Sequence, residues 1–248
     1  MKNFVVYTAL FGPYDKLNEL KELYSECEFV CFTDQVDLQS KSWKVIHVDL
    51  SKNTLPNVAN RMYKFFPHHY FANYESSLYV DSNIEILSNP YSLKLKYLSK
   101  FNLCMPKHYL RDCIYDEAKE CIILKKENSK TIFSQMKKYR NEGMPKNFGL
   151  GENGILLRNH NNPEVIQIME LWWEQLQKFS KRDQLSLGFA LWKSGLIFNY
   201  IDESARNINN LFKYHKHSMD DRESFILRKL KGMEYRLRRA WLNNMVFF

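Results

Sequence analysis

The chain has 248 residues, 45% of them apolar and 15% aromatic, enough for a sizeable buried core, which excludes a disordered or fibrous protein. A formal charge of +8 points to an anionic partner, and no run of about 18 apolar residues exists to span a membrane. Five cysteines at irregular intervals with no CxxC pair, and an amino terminus without the apolar core of a secretory signal, suggest reduced thiols and a cytosolic setting.

Taken in order, Phe4 to Ala9 is a β-branched and aromatic run ending in the turn Phe11-Gly12-Pro13, and reads as a first buried strand. Glu28 to Thr33 and Trp43 to Val48 give a second and a third strand. Pro56 to Phe66 has helical spacing with proline at its start, as helices prefer. Ser77 to Val80 is a strand closing on Asp81, and a further apolar run follows from Ile84 to Leu87. Residues 89–144 read as helices and loops. A glycine-bearing loop, Gly149 to Gly154, leads into a strand from Ile155 to Arg158. Pro163 to Phe179 is a helix with Val165, Ile168, Met169, Trp172, Leu176 and Phe179 on one face. A helix from Asp183 to Lys193 stops at Ser194-Gly195, and Leu196 to Ile201 reads as a last strand. Strands alternating with helices at these intervals predict an α/β fold with a mainly parallel sheet.

The end of the chain differs in kind. Ile226, Leu230, Met233, Leu237, Trp241 and Met245 recur three and four apart, and from Arg222 onward seven Lys/Arg face two acids. This predicts a basic amphipathic C-terminal helix. It suits an anionic membrane surface, or a stripe packed on the domain with its charges in water.

Asp81-Ser82-Asn83 carries the strongest chemical signal. A carboxylate at the carboxyl end of a strand sits where open α/β sheets bind ligands. Asp81 and Asn83 both offer oxygen to a hard divalent cation that would bridge to phosphate, as in a nucleotide-sugar; an ordinary Asx turn is the competing reading. The strand ends at Tyr7, Thr8, Ala9, Phe11, Gly12 and Asp34 are candidates for contact with base and ribose. Arg61 and Lys64 share a helix face and are candidates for phosphate, or form a solvated face. Asp183 opens a helix, either as its N-cap or as an acid facing donor or acceptor. His108 and Arg111 belong to a polar cluster, and His215 and His217, with Asp220 and Asp221 nearby, are candidates for a late metal ligand, a structural or exposed histidine being the competing reading.

Together these segments resemble the TOD/MUCI-type glycosyltransferase-like family. The resemblance rests on Tyr7 to Asp15, Cys31 to Asp34, Asn60 to Lys64 with Pro67-His68, Tyr79 to Asn83, His108 to Ala118, Glu152 to His160, and Trp172-Trp173 leading to Arg182 to Ser186. It implies a GT-A-like, Rossmann-type domain over residues 1–215 with the tail, 216–248, outside it. It further implies transfer from a nucleotide-sugar, a uridine diphosphate sugar above all, to a saccharide or lipid-linked acceptor in bacterial surface-polysaccharide synthesis. In that analogy Asp81 and Asn83 hold Mn²⁺ or Mg²⁺, with Asn83 supplying one charge fewer than a second carboxylate, and His217 is the candidate further ligand read from the residues alone. Ser82 joins the donor-binding residues, Asp183 and Arg182 are catalytic, and His108, Arg111, Glu152 and Asn153 meet the acceptor. The expected location is the cytoplasm, peripheral on the inner face of the membrane. A non-catalytic glycan-binding relative is the alternative. A nucleic-acid-binding module is disfavoured because the basic residues gather in the tail instead of interleaving with aromatics.

Overall fold

Strand β1 (Phe4–Leu10) is buried along its whole length, and the rest of the molecule is arranged around it. In the computed structural model, which describes residues 3–13, 15–50, 54–216 and 234–240, β1 is flanked by β2 (Cys27–Thr33) and β4 (Ser76–Val80). Both pair with it in parallel. Beyond β2 lies β3 (Lys44–His47), also parallel. Beyond β4 come β7 (Ile155–Arg158), antiparallel, then β6 (Leu103–Pro106) and β8 (Asn199–Ile201), giving the order β3-β2-β1-β4-β7-β6-β8. Four of the six pairings are parallel, so the fold is the expected α/β class with a mainly parallel sheet flanked by helices.

The alternation of β1 shows why the sheet has two covered faces. Phe4, Val6 and Leu10 join one apolar cluster, with Leu93 and Tyr97 of helix α3 (Tyr91–Tyr97). Val5, Tyr7 and Ala9 join the other, with α1 (Pro56–Phe65) and α6 (Pro163–Lys178). Strands buried on both faces read as continuous apolar runs, which is why β1, β2 and β4 were legible.

Helix α6 starts where Asn162 accepts from the Glu164 and Val165 amides, with Pro163 in the first turn. It buries Val165, Ile168, Met169, Trp172 and Leu176, each contributing about 1.5–3 kcal/mol of transfer free energy. Trp172 stacks on Phe65 of α1 at 3.8 Å and donates its indole N–H to the Asp183 carbonyl. The long helix therefore sets both α1 and the Asp183 turn.

Several expectations shift. The segment 89–144 holds not only α3, α4 (Ile114–Ile123) and α5 (Ser129–Asn141) but also β6. Four residues ending in proline carry little strand signal of their own; β6 is defined by its neighbours β7 and β8. The run after Asp81 leaves the main sheet: β5 (Ile84–Ile86) pairs antiparallel with β9 (Phe212–Tyr214) in a separate ribbon. The helix expected from Asp183 is split. A 3₁₀ turn, Asp183–Leu185, precedes α7 (Leu187–Ser194), which ends at left-handed Gly195. A short helix α2 (Pro67–Tyr70) follows α1. All five cysteines are buried, and among the described residues none forms a disulfide. Among the described residues no helix is long and apolar enough to cross a membrane.

Of the basic tail, residues 234–240 are described, and they are helical. Tyr235 packs towards the α4–α5 cluster and donates to Glu120, while Glu234 pairs with Lys125. Leu237, from the expected apolar stripe, is 71% exposed. The remainder of that stripe lies outside the described residues.

Candidate active site

The carboxyl ends of β1 and β4 meet the inner face of α1, and this is where the charged side chains collect. On α1, Asn60 and Lys64 are one turn apart, over the strand ends, with Arg61 beside them. Asn60 donates to the Ala9 carbonyl, fixing α1 on the end of β1. Lys64 is almost fully buried, its side chain 3% exposed. Its ammonium group lies 2.9 Å from Asp183 Oδ2, 3.5 Å from Asp81 Oδ1 and 5.0 Å from the centre of the Tyr79 ring. Arg61 completes the group at 3.7 Å from Asp183.

The two carboxylates sharing Lys64 are in different situations. Asp183 is buried, which on its own would raise its pKa, but Lys64, Arg61 and Arg182 outweigh that and hold it well below the usual carboxylate range. It is a fixed anion and a poor base. It is also not the N-cap of α7, since its Oδ1 accepts from the next residue, Gln184. Asp81 is 39% exposed at its side chain, the open member of the pair. Its Oδ1 accepts from the Tyr79 hydroxyl at 2.9 Å. Burial, with the Asp81 charge beside it, keeps the Tyr79 phenol protonated and therefore a donor. Behind Asp81, Gly154 leaves the carboxylate its room: a β-carbon there would lie 3.0 Å from Oδ2 and 3.2 Å from Ile84 Cδ1. Gly154→Ala should therefore displace the Asp81 carboxylate. Any activity that depends on the placement of this carboxylate is expected to fall about 10- to 100-fold with little change in melting temperature; unchanged activity would mean that the position of Asp81 is not critical.

The loop before β7 supplies two more groups. Asn153 is 4% exposed, and neither its amide nitrogen nor its oxygen has a hydrogen-bond partner among the described residues. Buried amides are nearly always satisfied, so an orphan beside an open carboxylate is a mark of a ligand contact. Glu152 accepts from Ser204 at 2.7 Å, and burial raises its pKa, with Asp81 adding to the rise. His108 accepts from the Leu110 and Arg111 amides. Burial, helped by Arg111 and Arg206, lowers it to about 4, so it is neutral at pH 7. Arg111 is tied to Glu117.

Other candidates have mainly supporting positions. Tyr7 is fully buried, donating to the Lys64 carbonyl and receiving Arg158. The Thr8 hydroxyl is buried and has no hydrogen-bond partner among the described residues. Asp34 accepts the Gly12 amide at 2.8 Å, where Gly12 is left-handed, so it braces the turn after β1. Phe11 stacks on Tyr63. Ser82 donates to Asp15, and its carbonyl receives Asn18.

Asn83 is buried and donates to the His215 carbonyl, tying the Asp81 loop to β9. His215 itself pairs with Glu85. For a hard cation the described residues offer one open Asp81 oxygen; Asn83 is buried with its amide nitrogen on the His215 carbonyl, which leaves its own oxygen to be turned to the same ion, and His217 lies outside the described residues. Among those described, no three His, Cys, Asp or Glu side chains gather as a metal group. Sequence reasoning missed Asn60, Tyr79, Gly154 and Arg206. Asn60 had a signal, its place one residue before Arg61; Arg206 had none, because its neighbours come from a distant segment.

A family model described as "TOD1/MUCI70, glycosyltransferase-like domain" matches residues 1–217. The chain is similar to "Probable hexosyltransferase MUCI70" of Arabidopsis thaliana, 25% identical over 213 residues, covering 75% of this chain and 36% of that protein. It is similar to "Alkaline ceramidase TOD1" of the same plant, 22% identical over 220 residues, covering 75% and 47%. The chain thus spans less than half the length of these relatives. Among solved structures, mouse xyloside xylosyltransferase 1 superposes with a TM-score of 0.46 at 10% identity, covering 81% of this chain and 84% of that one. Galactosyltransferase LgtC gives 0.43 at 12%, covering 79% and 72%.

Proposed function

The chain belongs to the TOD1/MUCI70 glycosyltransferase-like family, and from that premise we propose that it is a GT-A-like, nucleotide-sugar-dependent glycosyltransferase. Its donor is a nucleoside diphosphate sugar, uridine diphosphate being the first candidate. Its acceptor is a saccharide or lipid-linked saccharide, in the surface-polysaccharide setting that the sequence resemblance implies. The observation that carries the reading is the half-open Asp81 carboxylate at the end of a central strand, braced by Tyr79 and Lys64 and adjoined by the orphan amide of Asn153.

The residues divide the work. Asp183 holds Lys64 and Arg61 in place, with Arg182 beside it, so that their N–H donors are held ready near the departing diphosphate while their charge is largely balanced by the two carboxylates. Asp81, Asn83 and His217 are the residues that would hold Mn²⁺ or Mg²⁺. A divalent cation bound there would neutralise charge on the leaving group. Glu152 and Asn153 face the transferred sugar and acceptor hydroxyl. The raised pKa of Glu152 suits it better than Asp183 to accept a proton near neutral pH.

The test is a thermal-shift screen of nucleotide-sugars with and without Mn²⁺, since a ligand binding only the folded state raises its apparent stability. At least one nucleoside diphosphate sugar should raise the melting temperature. Stabilisation by ceramide and none by any nucleotide-sugar would instead favour the chemistry named for the second plant relative. The tail is a separable part of the proposal. With Leu237 outward among Arg236, Arg238 and Arg239, it would seat the enzyme on an anionic inner leaflet. Removing residues 222–248 should release the protein from anionic vesicles; undiminished vesicle binding would refute it.

A further inference from the structure

Residues 202–211 form a loop that Lys96 and Tyr97 tether at Asp202 and Glu203 and that its own side chains organise within. Asn207 donates to the Asp202 carbonyl and accepts from the Ser204 amide. Asn209 donates to the Ser204 carbonyl and accepts from the Leu211 and Phe212 amides. Ser204 accepts from the Arg206 amide and donates to Glu152. Such side-chain-to-backbone bonds make a rigid turn in place of a floppy connection. The residue this turn displays is Arg206.

Arg206 is exposed, yet its guanidinium is held. It lies 3.4 Å from the centre of the Tyr214 ring and 5.4 Å from that of Tyr109. Tyr214 is the register partner of Ile84, three residues beyond Asp81. Arg206 also acts electrostatically on Glu152 and His108, and Glu152 in turn feels Asp81. The guanidinium is therefore at the rim of the Asp81 site. No carboxylate approaches it within ion-pair distance among the described residues. Inside the site, Lys64 and Arg61 are balanced by Asp81 and Asp183. A stacked, planar, unneutralised fork is a ready receptor for paired anionic oxygens.

We propose that Arg206, held against Tyr214 and near Tyr109, is an anion-binding arm that grips the diphosphate of the nucleotide-sugar at the rim of the site. The proposal rests on the nucleotide-sugar reading above and adds the residue that the leaving group meets at the rim. The proposal predicts discrimination in favour of a diphosphate over a monophosphate, because the second phosphate is the group that the arm is assigned to meet.

Calorimetric titration of the full chain with uridine, guanosine, adenosine and deoxythymidine diphosphates and the matching monophosphates, each with Mn²⁺, tests this. Arg206→Ala should bind the preferred diphosphate about 10- to 100-fold more weakly, the worth of one or two charge-assisted hydrogen bonds, with monophosphate binding nearly unchanged. Arg206→Lys should recover part of the loss, keeping the charge without the fork. Equal diphosphate affinity in wild type and Arg206→Ala overturns the assignment while leaving the proposed function standing. An equal loss of both nucleotides also overturns it, because the residue would then hold the loop and not the phosphate. Failure of the wild type to bind any diphosphate removes the nucleotide-sugar reading and this proposal with it.

Discussion

Lys64→Met is expected to destabilise the protein by about 3–5 kcal/mol, the cost of leaving a buried charge without its closest partner. The substitution keeps most of the volume and the apolar stem but withdraws the ammonium from Asp183, which lies 2.9 Å away and is itself buried. Arg61, at 3.7 Å, compensates only in part. Urea unfolding of the single and double variants measures this. Lys64→Met combined with Asp183→Leu should recover most of the loss, because the pair together is worth far less than either charge alone. A single variant as stable as the wild type would show that the Lys64–Asp183 pair is not a buried, coupled unit. The same pair has a pH signature. The Asp183 pKa in the folded state lies below its ordinary 3.8, so its contribution is fully present above that value and is lost as pH falls through the folded value. Wild type should therefore lose stability in acid more steeply than the double variant does.

Asp81→Asn is expected to lower turnover on the order of a thousandfold while leaving the fold intact. The amide oxygen still accepts from the Tyr79 hydroxyl, so that buried donor keeps its partner. What disappears is the negative charge at the mouth of the site, the one carboxylate of the Lys64 pair open to solvent. In the proposed role that charge would hold the divalent cation that neutralises the leaving diphosphate, and losses of this scale follow removal of a group on which such transition-state stabilisation depends. The readout is donor consumption alongside melting temperature. Activity lost together with the fold would be uninformative for the alanine, which is why asparagine is the choice. Turnover within a few-fold of wild type would remove Asp81 from the chemistry.

What could be read in the sequence follows a physical division. Strands β1, β2 and β4 are buried on both faces, and each such strand needs an unbroken apolar run, which is visible locally. Helix α6 announces itself through proline and an apolar face at helical spacing. Strands β6 and β9 are four and three residues long and exist because distant segments complete their ladders, so neither has a local signature. The same holds at the site. Asp81 and Lys64 were suggested by their places at a strand end and on a helix face. That Lys64 is bonded to Asp183, 119 residues away, or that Arg206 stacks between Tyr109 and Tyr214, is a product of the completed fold. Asn83 illustrates the limit of motif reading: its amide is turned to the His215 carbonyl, a contact that the spacing of Asp81 and Asn83 cannot reveal.

The account's central claim is that this site takes a sugar from a nucleoside diphosphate. Mass-spectrometric assay of the full chain with Mn²⁺, a panel of nucleotide-sugars and a panel of saccharide and lipid-linked acceptors tests it most directly. The account predicts that one donor is consumed, that its nucleoside diphosphate is released in step with a product heavier by one sugar, and that Asp81→Asn does neither. Folded wild-type protein that consumes no donor, or an Asp81→Asn variant that consumes it as fast, would contradict the account.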